Sequence, residues 1–159
     1  MCIKSRITKV GWGFGRCNQN CRHCYNASNS MAPAYSFLQL KTVADKICPY
    51  ISDINFGTGE FAVNPHAVDL AQYIAETHPR VNQALTTNGF SVVTLPSGIL
   101  KQTFHDVDVS LDFPDEQKHN AFRGHDQAWK WVRMALEILC EADIPRTVVT
   151  CITSETTNE

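Results

Sequence analysis

The chain has no apolar run approaching the ~18 residues that a membrane span needs. Its opening residues, Met1 to Arg6, contain no apolar h-region, so no signal peptide is expected and the expected compartment is cytoplasmic. It has no excess of basic charge: 14 Lys and Arg stand against 16 Asp and Glu, a formal net charge of -2. That balance gives no electrostatic case for nucleic acid or an anionic membrane as the main partner. There is no linker, charge block or low-complexity tract. With 43% hydrophobic and 19% charged residues in 159, the composition is that of one soluble globular domain. A domain of that size buries about two-thirds of its unfolded surface.

An even cysteine count is also missing. Seven cysteines without an export signal make a closed disulfide framework a poor expectation and point to metal binding or catalysis. Cys2, Cys48, Cys140 and Cys151 are dispersed and read as small hydrophobes or unremarkable thiols. Cys17, Cys21 and Cys24 are clustered.

Strand patterns alternate with helical ones. Short runs rich in Val, Ile, Thr or aromatics predict strands at Ile7 to Phe14, Asp53 to Gly57, Val81 to Thr86, Val107 to Leu111 and Thr147 to Ile152. A helix is predicted from a capping box, Ser36 with Gln39, to Pro49. A second takes Asn64 as N-cap and Pro65 at the first helical position. A short third covers Ser97 to Thr103, and a fourth starts near Asp126 with Val132, Ala135 and Leu139 in its apolar stripe. The polar stretch Ser154 to Glu159 reads as a tail. Such alternation predicts parallel βαβ units with right-handed crossovers, an α/β barrel or doubly wound sheet. In these folds chemistry collects at the carboxyl ends of the strands. Every unusual polar or Gly-rich cluster follows a strand: the cysteine loop, Gly57-Thr58-Gly59-Glu60, Thr87-Asn88-Gly89 and Ser110-Leu111-Asp112. They are expected to share one rim.

Three thiolates within one loop can wrap one ion or cluster. A structural zinc site wants four ligands, which His23 or His66 would complete, but the 3-then-2 spacing differs from paired zinc knuckles. Three Cys on a [4Fe–4S] cluster leave one iron open to an outside ligand. A ferredoxin-like electron carrier would instead recruit a fourth Cys, Cys48 or Cys151.

The segment Cys17-Asn18-Gln19-Asn20-Cys21-Arg22-His23-Cys24-Tyr25 resembles the motif of the radical S-adenosylmethionine (radical SAM) enzymes. The later clusters match in order. Gly57-Thr58-Gly59-Glu60 is similar to that family's Gly-Gly-Glu segment, with Thr58 in place of a Gly, and Thr87-Asn88-Gly89 to its Thr-Asn-Gly. Val109 to Asp112, with His119 and Arg123-Gly124, resembles the peptide- and protein-modifying branch. No Gly-x-Ile-x-Gly motif is recognisable in Thr147 to Thr153.

The resemblance implies a parallel partial (β/α) TIM-type barrel and two cofactors, a [4Fe–4S] cluster on Cys17, Cys21 and Cys24 and S-adenosylmethionine (SAM) on its open iron. It implies SAM contacts from Tyr25, Gly57, Thr58, Gly59, Glu60, Asn88, Ser110 and Asp112. The bland alternatives are a helix-start charge at Glu60, a turn former at Asn88, strand-end capping at Asp112 and plain packing at Tyr25. Reductive cleavage of SAM to a 5′-deoxyadenosyl radical would abstract hydrogen from a substrate, a peptide or protein by branch. A ferredoxin or flavodoxin would supply the electron. A glycyl-radical activating enzyme is the runner-up within the family, which the stretch from Ser110 to Gly124 fits less well. Arg16 or Arg22 would offset the charge of the cluster, and His105, His119 and His125 read as surface or capping residues. A six-strand core needs one more βα unit, about 30 residues. The expectation is therefore a core domain over 1–159 incomplete after its fifth strand, with an exposed edge that further chain or a partner covers.

Overall fold

The computed structural model describes residues 8–26 and 34–157. Five strands form one parallel sheet in chain order: β1 (Lys9–Gly13), β2 (Asp53–Thr58), β3 (Asn82–Thr87), β4 (Asp106–Ser110) and β5 (Arg146–Val149). Each predicted strand is present, displaced by at most a few residues at its ends. Ile7, the predicted start of the first, lies outside the described residues, as do Cys2, Lys4, Arg6, and Asn158 and Glu159 of the expected tail. Through Thr157 that tail is a turn, with the Thr153 and Thr156 N–H groups on side-chain hydroxyls and Thr157 N–H on the Thr153 carbonyl.

The crossovers carry six helices, α1 (Phe37–Ile47), α2 (Ala67–Thr77), α3 (Phe90–Thr94), α4 (Ser97–Thr103), α5 (Glu116–Arg123) and α6 (Ala128–Glu141). The capping box that predicts α1 is formed: Ser36 accepts from the Gln39 amide and the Gln39 side chain accepts from the Ser36 amide. Three expectations are corrected. α2 begins two residues later than Asn64 and Pro65 suggest, with His66 at its N-cap in a left-handed conformation, because the Asn64 side chain is committed to the carbonyls of Arg16 and Glu60. α6 starts at Ala128 rather than near Asp126. The sequence pattern did not show α3 and α5 at all, although both meet α6.

The period-2 pattern of the central strands sorts their side chains. Ile54, Phe56, Leu85, Val107 and Val109 are buried on the helix-covered face. Phe56 lies at the centre of an aromatic cluster, with ring centroids 6.0 Å from Phe14, 5.3 Å from Phe61 and 6.2 Å from Phe104. The opposite face is polar and half-buried, where the Thr86 hydroxyl lies 3.0 Å from Asn55 Oδ1 and 3.4 Å from Asp108 Oδ2. All four residues of β5 are exposed, and Val148, Val149 and Ile152 present apolar surface along that margin.

Removing the ring at the centre of the cluster opens a cavity. Phe56→Ala is expected to cost about 3–5 kcal/mol, read by urea denaturation. Tyr50→Ala, at a side chain 79% exposed, is expected to leave the midpoint nearly unchanged.

Candidate active site

The loop that carries the three cysteines has no helix or strand of its own, and other rim segments hold it at three points. Its start is held by the turn after β2. The Arg16 carbonyl accepts the Glu60 N–H at 2.7 Å and lies against Gly59 where a Cβ would stand; Gly59 has φ 79°, a conformation suited to glycine. In the middle, Asn88 Nδ2 donates to Asn18 Oδ1 at 2.9 Å. On the far side the C-terminal end of α5 packs on the loop. Gly124, with φ 64°, ends the helix and leaves 2.5 Å between its missing Cβ and the Asn20 carbonyl oxygen. The Arg22 N–H donates to the Phe122 carbonyl at 3.0 Å, and the His23 ring stacks on Phe122 at 4.6 Å.

The result is a cavity of about 430 Å³ over the carboxyl ends of the strands. Cys17, Cys21 and Cys24 border it with free thiols. Gly57, Thr58, Gly59, Glu60, Asn88 and Ser110 also line it, so nearly all the expected residues meet on one rim. Tyr25 stands at the mouth, 87% exposed, its hydroxyl 2.8 Å from the Thr58 hydroxyl. Asp112 is not in the lining. It follows the end of β4, so the strand alternation that would align it with Ser110 no longer applies, and its carboxylate is buried against Arg123 and the Cys151 amide. His23 and Cys151, offered by the sequence only as a fourth ligand to zinc or to a ferredoxin-like cluster, line the cavity, as do Arg123 and Thr86, the last of which sequence reasoning overlooked. For Thr86 a signal existed: it lies two residues before Asn88, at the end of the same strand.

The carboxylate of Glu60 has 1% exposure and is engaged on both oxygens. Oε1 accepts from the Thr87 hydroxyl at 2.6 Å, the Ser91 N–H at 3.0 Å and the Ser91 hydroxyl; Oε2 accepts from the Asn88 N–H at 2.9 Å. Burial pushes this carboxyl up from its usual range while those donors pull it back. The carboxyl group therefore ties the turn after β2 to the start of α3.

A second buried pair lies opposite. Arg123 Nε donates to Asp112 Oδ2 at 2.6 Å, and Arg123 Nη1 is 3.9 Å from Cys21 Sγ. The Asp112 N–H donates to Nδ1 of His119, which is 1% exposed rather than on the surface as expected. Burial, then the Arg123 charge, lowers His119 from its ordinary 6.5 to about 4, against the pull of Asp112. His125 does cap locally, accepting the Gln127 N–H.

The three thiols are half-buried. Burial pushes Cys17 from 9.0 up to about 11 and raises Cys21, with Arg123 opposing the latter shift. Bare, Cys17 and Cys21 stay protonated at neutral pH, and a bound metal would supply the charge that deprotonates them. Among the described residues no three His, Cys, Asp or Glu side chains converge on a single-ion site; the thiols border a larger space. His66, one of the candidate fourth ligands for zinc, bonds Asp69 at the start of α2 instead. The amide nitrogens Asn18 Nδ2 and Gln19 Nε2, buried in the cysteine loop, find no acceptor within the protein. Soft donors around a roomy cavity, with spare N–H groups beside them, fit an iron–sulfur cluster.

Two outcomes follow from the buried charges. Glu60→Gln sets an NH₂ group among donors that need acceptors and is expected to cost about 1–3 kcal/mol in urea denaturation at pH 7. For His119, the unfolded chain takes up a proton below about 6.5 and the folded one only near 4, so the unfolded state holds more protons in between. Stability is expected to fall as pH drops through that window. Thermal melts should show a shallower fall in His119→Gln, which keeps an acceptor for the Asp112 amide.

The model of the "Radical SAM superfamily" matches residues 13–159. The AdoMet-dependent heme synthase of Methanosarcina barkeri is 29% identical over 149 residues, covering 90% of this chain and 42% of that protein. The antilisterial bacteriocin subtilosin biosynthesis protein AlbA of Bacillus subtilis is 28% identical over 134 residues, 81% of this chain and 29% of its own length. The chain thus spans less than half the length of the curated relatives it matches. Among solved structures, native anSMEcpe with bound AdoMet superposes with a TM-score of 0.69 at 20% identity, over 96% of this chain and 46% of that one. BtrN in complex with AdoMet and 2-DOIA gives 0.62 at 17% identity, over 89% and 56%. These likenesses show the fold, a five-stranded part of the partial TIM-type barrel, and with the family match over nearly the whole length the chain belongs to the radical SAM superfamily, whose cofactors are a [4Fe–4S] cluster and S-adenosylmethionine.

Proposed function

We propose that this chain is the cofactor-binding core of a radical SAM enzyme that acts on a peptide or protein. The observation that carries the reading is the set of three free thiols bordering a 430 Å³ cavity whose other walls are the turns after β2, β3 and β4. The cluster and SAM, when bound, supply a 5′-deoxyadenosyl radical by one-electron cleavage of the sulfonium, and that radical takes hydrogen from the substrate. Cys17, Cys21 and Cys24 would hold the cluster. Gly57 to Gly59 would offer backbone groups to SAM beside the mouth where Tyr25 meets Thr58. Ser110 and Asn88 offer a hydroxyl and an amide to its polar groups. Glu60 and Asp112 act from behind, the first by holding the segment from Thr87 to Ser91 and the second by aiming Arg123. The buried side of the cavity, formed by the Glu60 hydrogen bonds and the Asp112–Arg123 ion pair, would keep bulk water from the reacting centre.

A peptide or protein substrate is supported by the match to a subtilosin biosynthesis protein and by the fold shared with anSMEcpe, whose structure with a Kp18Cys peptide superposes with a TM-score of 0.73. The match to a heme synthase favours a second reading, in which the substrate is a heme precursor. A ferredoxin or flavodoxin supplies the electron.

Anaerobic reconstitution with iron and sulfide, reduction, and electron paramagnetic resonance with and without SAM test the reading. The expected result is a cluster signal that SAM shifts. Alanine at Cys17, Cys21 or Cys24 is expected to abolish cluster iron and sulfide, and Cys140→Ala, at an exposed helix position, to leave both intact. Zinc in place of iron, or a spectrum indifferent to SAM, would overturn it. Growth of 5′-deoxyadenosine on adding peptide rather than tetrapyrrole separates the two substrate classes.

A further inference from the structure

The sequence places Arg16 and Arg22 nearest the thiols, but Arg22 is turned outward to Glu155 at 3.2 Å. The guanidinium that reaches Cys21 comes from the end of α5, 102 residues away. Arg123 is 7% exposed, and what lies behind it sets its direction. Asp112, whose side chain has no exposure, takes Nε on one oxygen and the Cys151 N–H, at 2.9 Å, on the other. His119 takes the Asp112 amide. Two chain segments, α5 and the stretch after β5, thus hold one carboxylate, and that carboxylate orients one guanidinium. Of the guanidinium's five N–H groups the Asp112 contact uses one, and Nη1 faces the Cys21 sulfur. Cys17 meets a neutral donor, Asn88 Nδ2 at 3.8 Å, so the full positive charge stands on the Cys21 side.

We propose that Arg123, aimed by Asp112, donates a charge-assisted hydrogen bond to the Cys21 sulfur when the cluster is bound and so raises the cluster's reduction potential. The inference rests on the assignment of Cys17, Cys21 and Cys24 as cluster ligands. Its physics is electrostatic. Reduction adds one negative charge to the cluster and its thiolates. A buried cation hydrogen-bonded to one ligand stabilises the reduced state more than the oxidised one, and little solvent screens it. Arg123 is then a positioning residue, acting on the metal centre through Cys21. The amide nitrogens of Asn18 and Gln19, without acceptors inside the protein, add weaker donors of the same kind.

The test is a potentiometric titration of the reconstituted chain without SAM, followed by electron paramagnetic resonance. Arg123→Gln is expected to shift the potential to more negative values at unchanged iron content, and Arg123→Lys, which keeps the charge but not the fork, to fall between. Where the glutamine variant does not keep its cluster, pulsed resonance on the wild-type chain grown with ¹⁵N-arginine decides the matter: a nitrogen coupling to the reduced cluster that Arg123→Lys loses supports the bond. An unchanged potential in Arg123→Gln with full cluster, or no ¹⁵N coupling, overturns it. An unchanged potential with weakened SAM binding also overturns it, placing Arg123 on SAM alone. Failure of the underlying ligand assignment is separate, since the wild-type chain would then hold no cluster to titrate.

Discussion

The site depends on a backbone that can be approached at contact distance. The cysteine loop is irregular, and a loop without its own hydrogen-bonded ladder must offset its ordering entropy with contacts to other segments. Here those contacts are main chain on main chain. The Arg16 carbonyl lies where Gly59 has no side chain, and the Asn20 carbonyl where Gly124 has none. A side chain at either point would meet backbone, which cannot give way as a flexible side-chain tip can. The loop's position is thereby set from the turn after β2 on one side and from the end of α5 on the other, with the Asn88 amide between. The thiols inherit their geometry from these approaches.

Charge reinforces this frame from the buried side. Ionised pairs without solvent give little net stability, because desolvation offsets most of their attraction. They do penalise alternatives, since any rearrangement leaves a charge without partners. Glu60 can reach its four donors only with the turn after β2 against the start of α3, and Asp112 can hold Arg123 and the Cys151 amide only with β4, α5 and the end of β5 in register. Both carboxylates are committed to the protein, which leaves the cavity lined by thiols, hydroxyls, amides and glycine backbone. A chelating ligand with its own charges meets few fixed ones there, the guanidinium beside Cys21 chief among them.

Much of this was legible in the chain alone. The strands declared themselves by β-branched runs, and the rim by polar and Gly-rich clusters that follow each strand. What was not legible has a common cause, the burial of polar groups. The helix α5, Glu116–Arg123, reads as a solvated stretch because its inward face is His119, Phe122 and Arg123, two of them titratable. A periodicity search for apolar residues sees one residue there. His119 was misplaced for the same reason, since a tertiary partner invisible in the chain satisfies a group that propensity assigns to the surface, and Asp112, expected at the cofactor, is instead claimed by Arg123 and the Cys151 amide. The one-turn α3 was missed because its start is organised by Glu60, some 30 residues earlier. Asn64 has the chemistry of an N-cap, yet two distant carbonyls claim it.

The order of the sheet has a temporal consequence. Strands lie side by side in the order of the chain, so each new strand has a formed neighbour to pair with as it emerges from synthesis. The thiols are among the first groups made. Their last restraint is among the later ones, because Phe122 and Gly124 close the loop only when the crossover after β4 has been threaded. A nascent chain therefore passes through a long interval in which its cysteine loop is open to the surroundings, and α5 arrives afterwards as its latch.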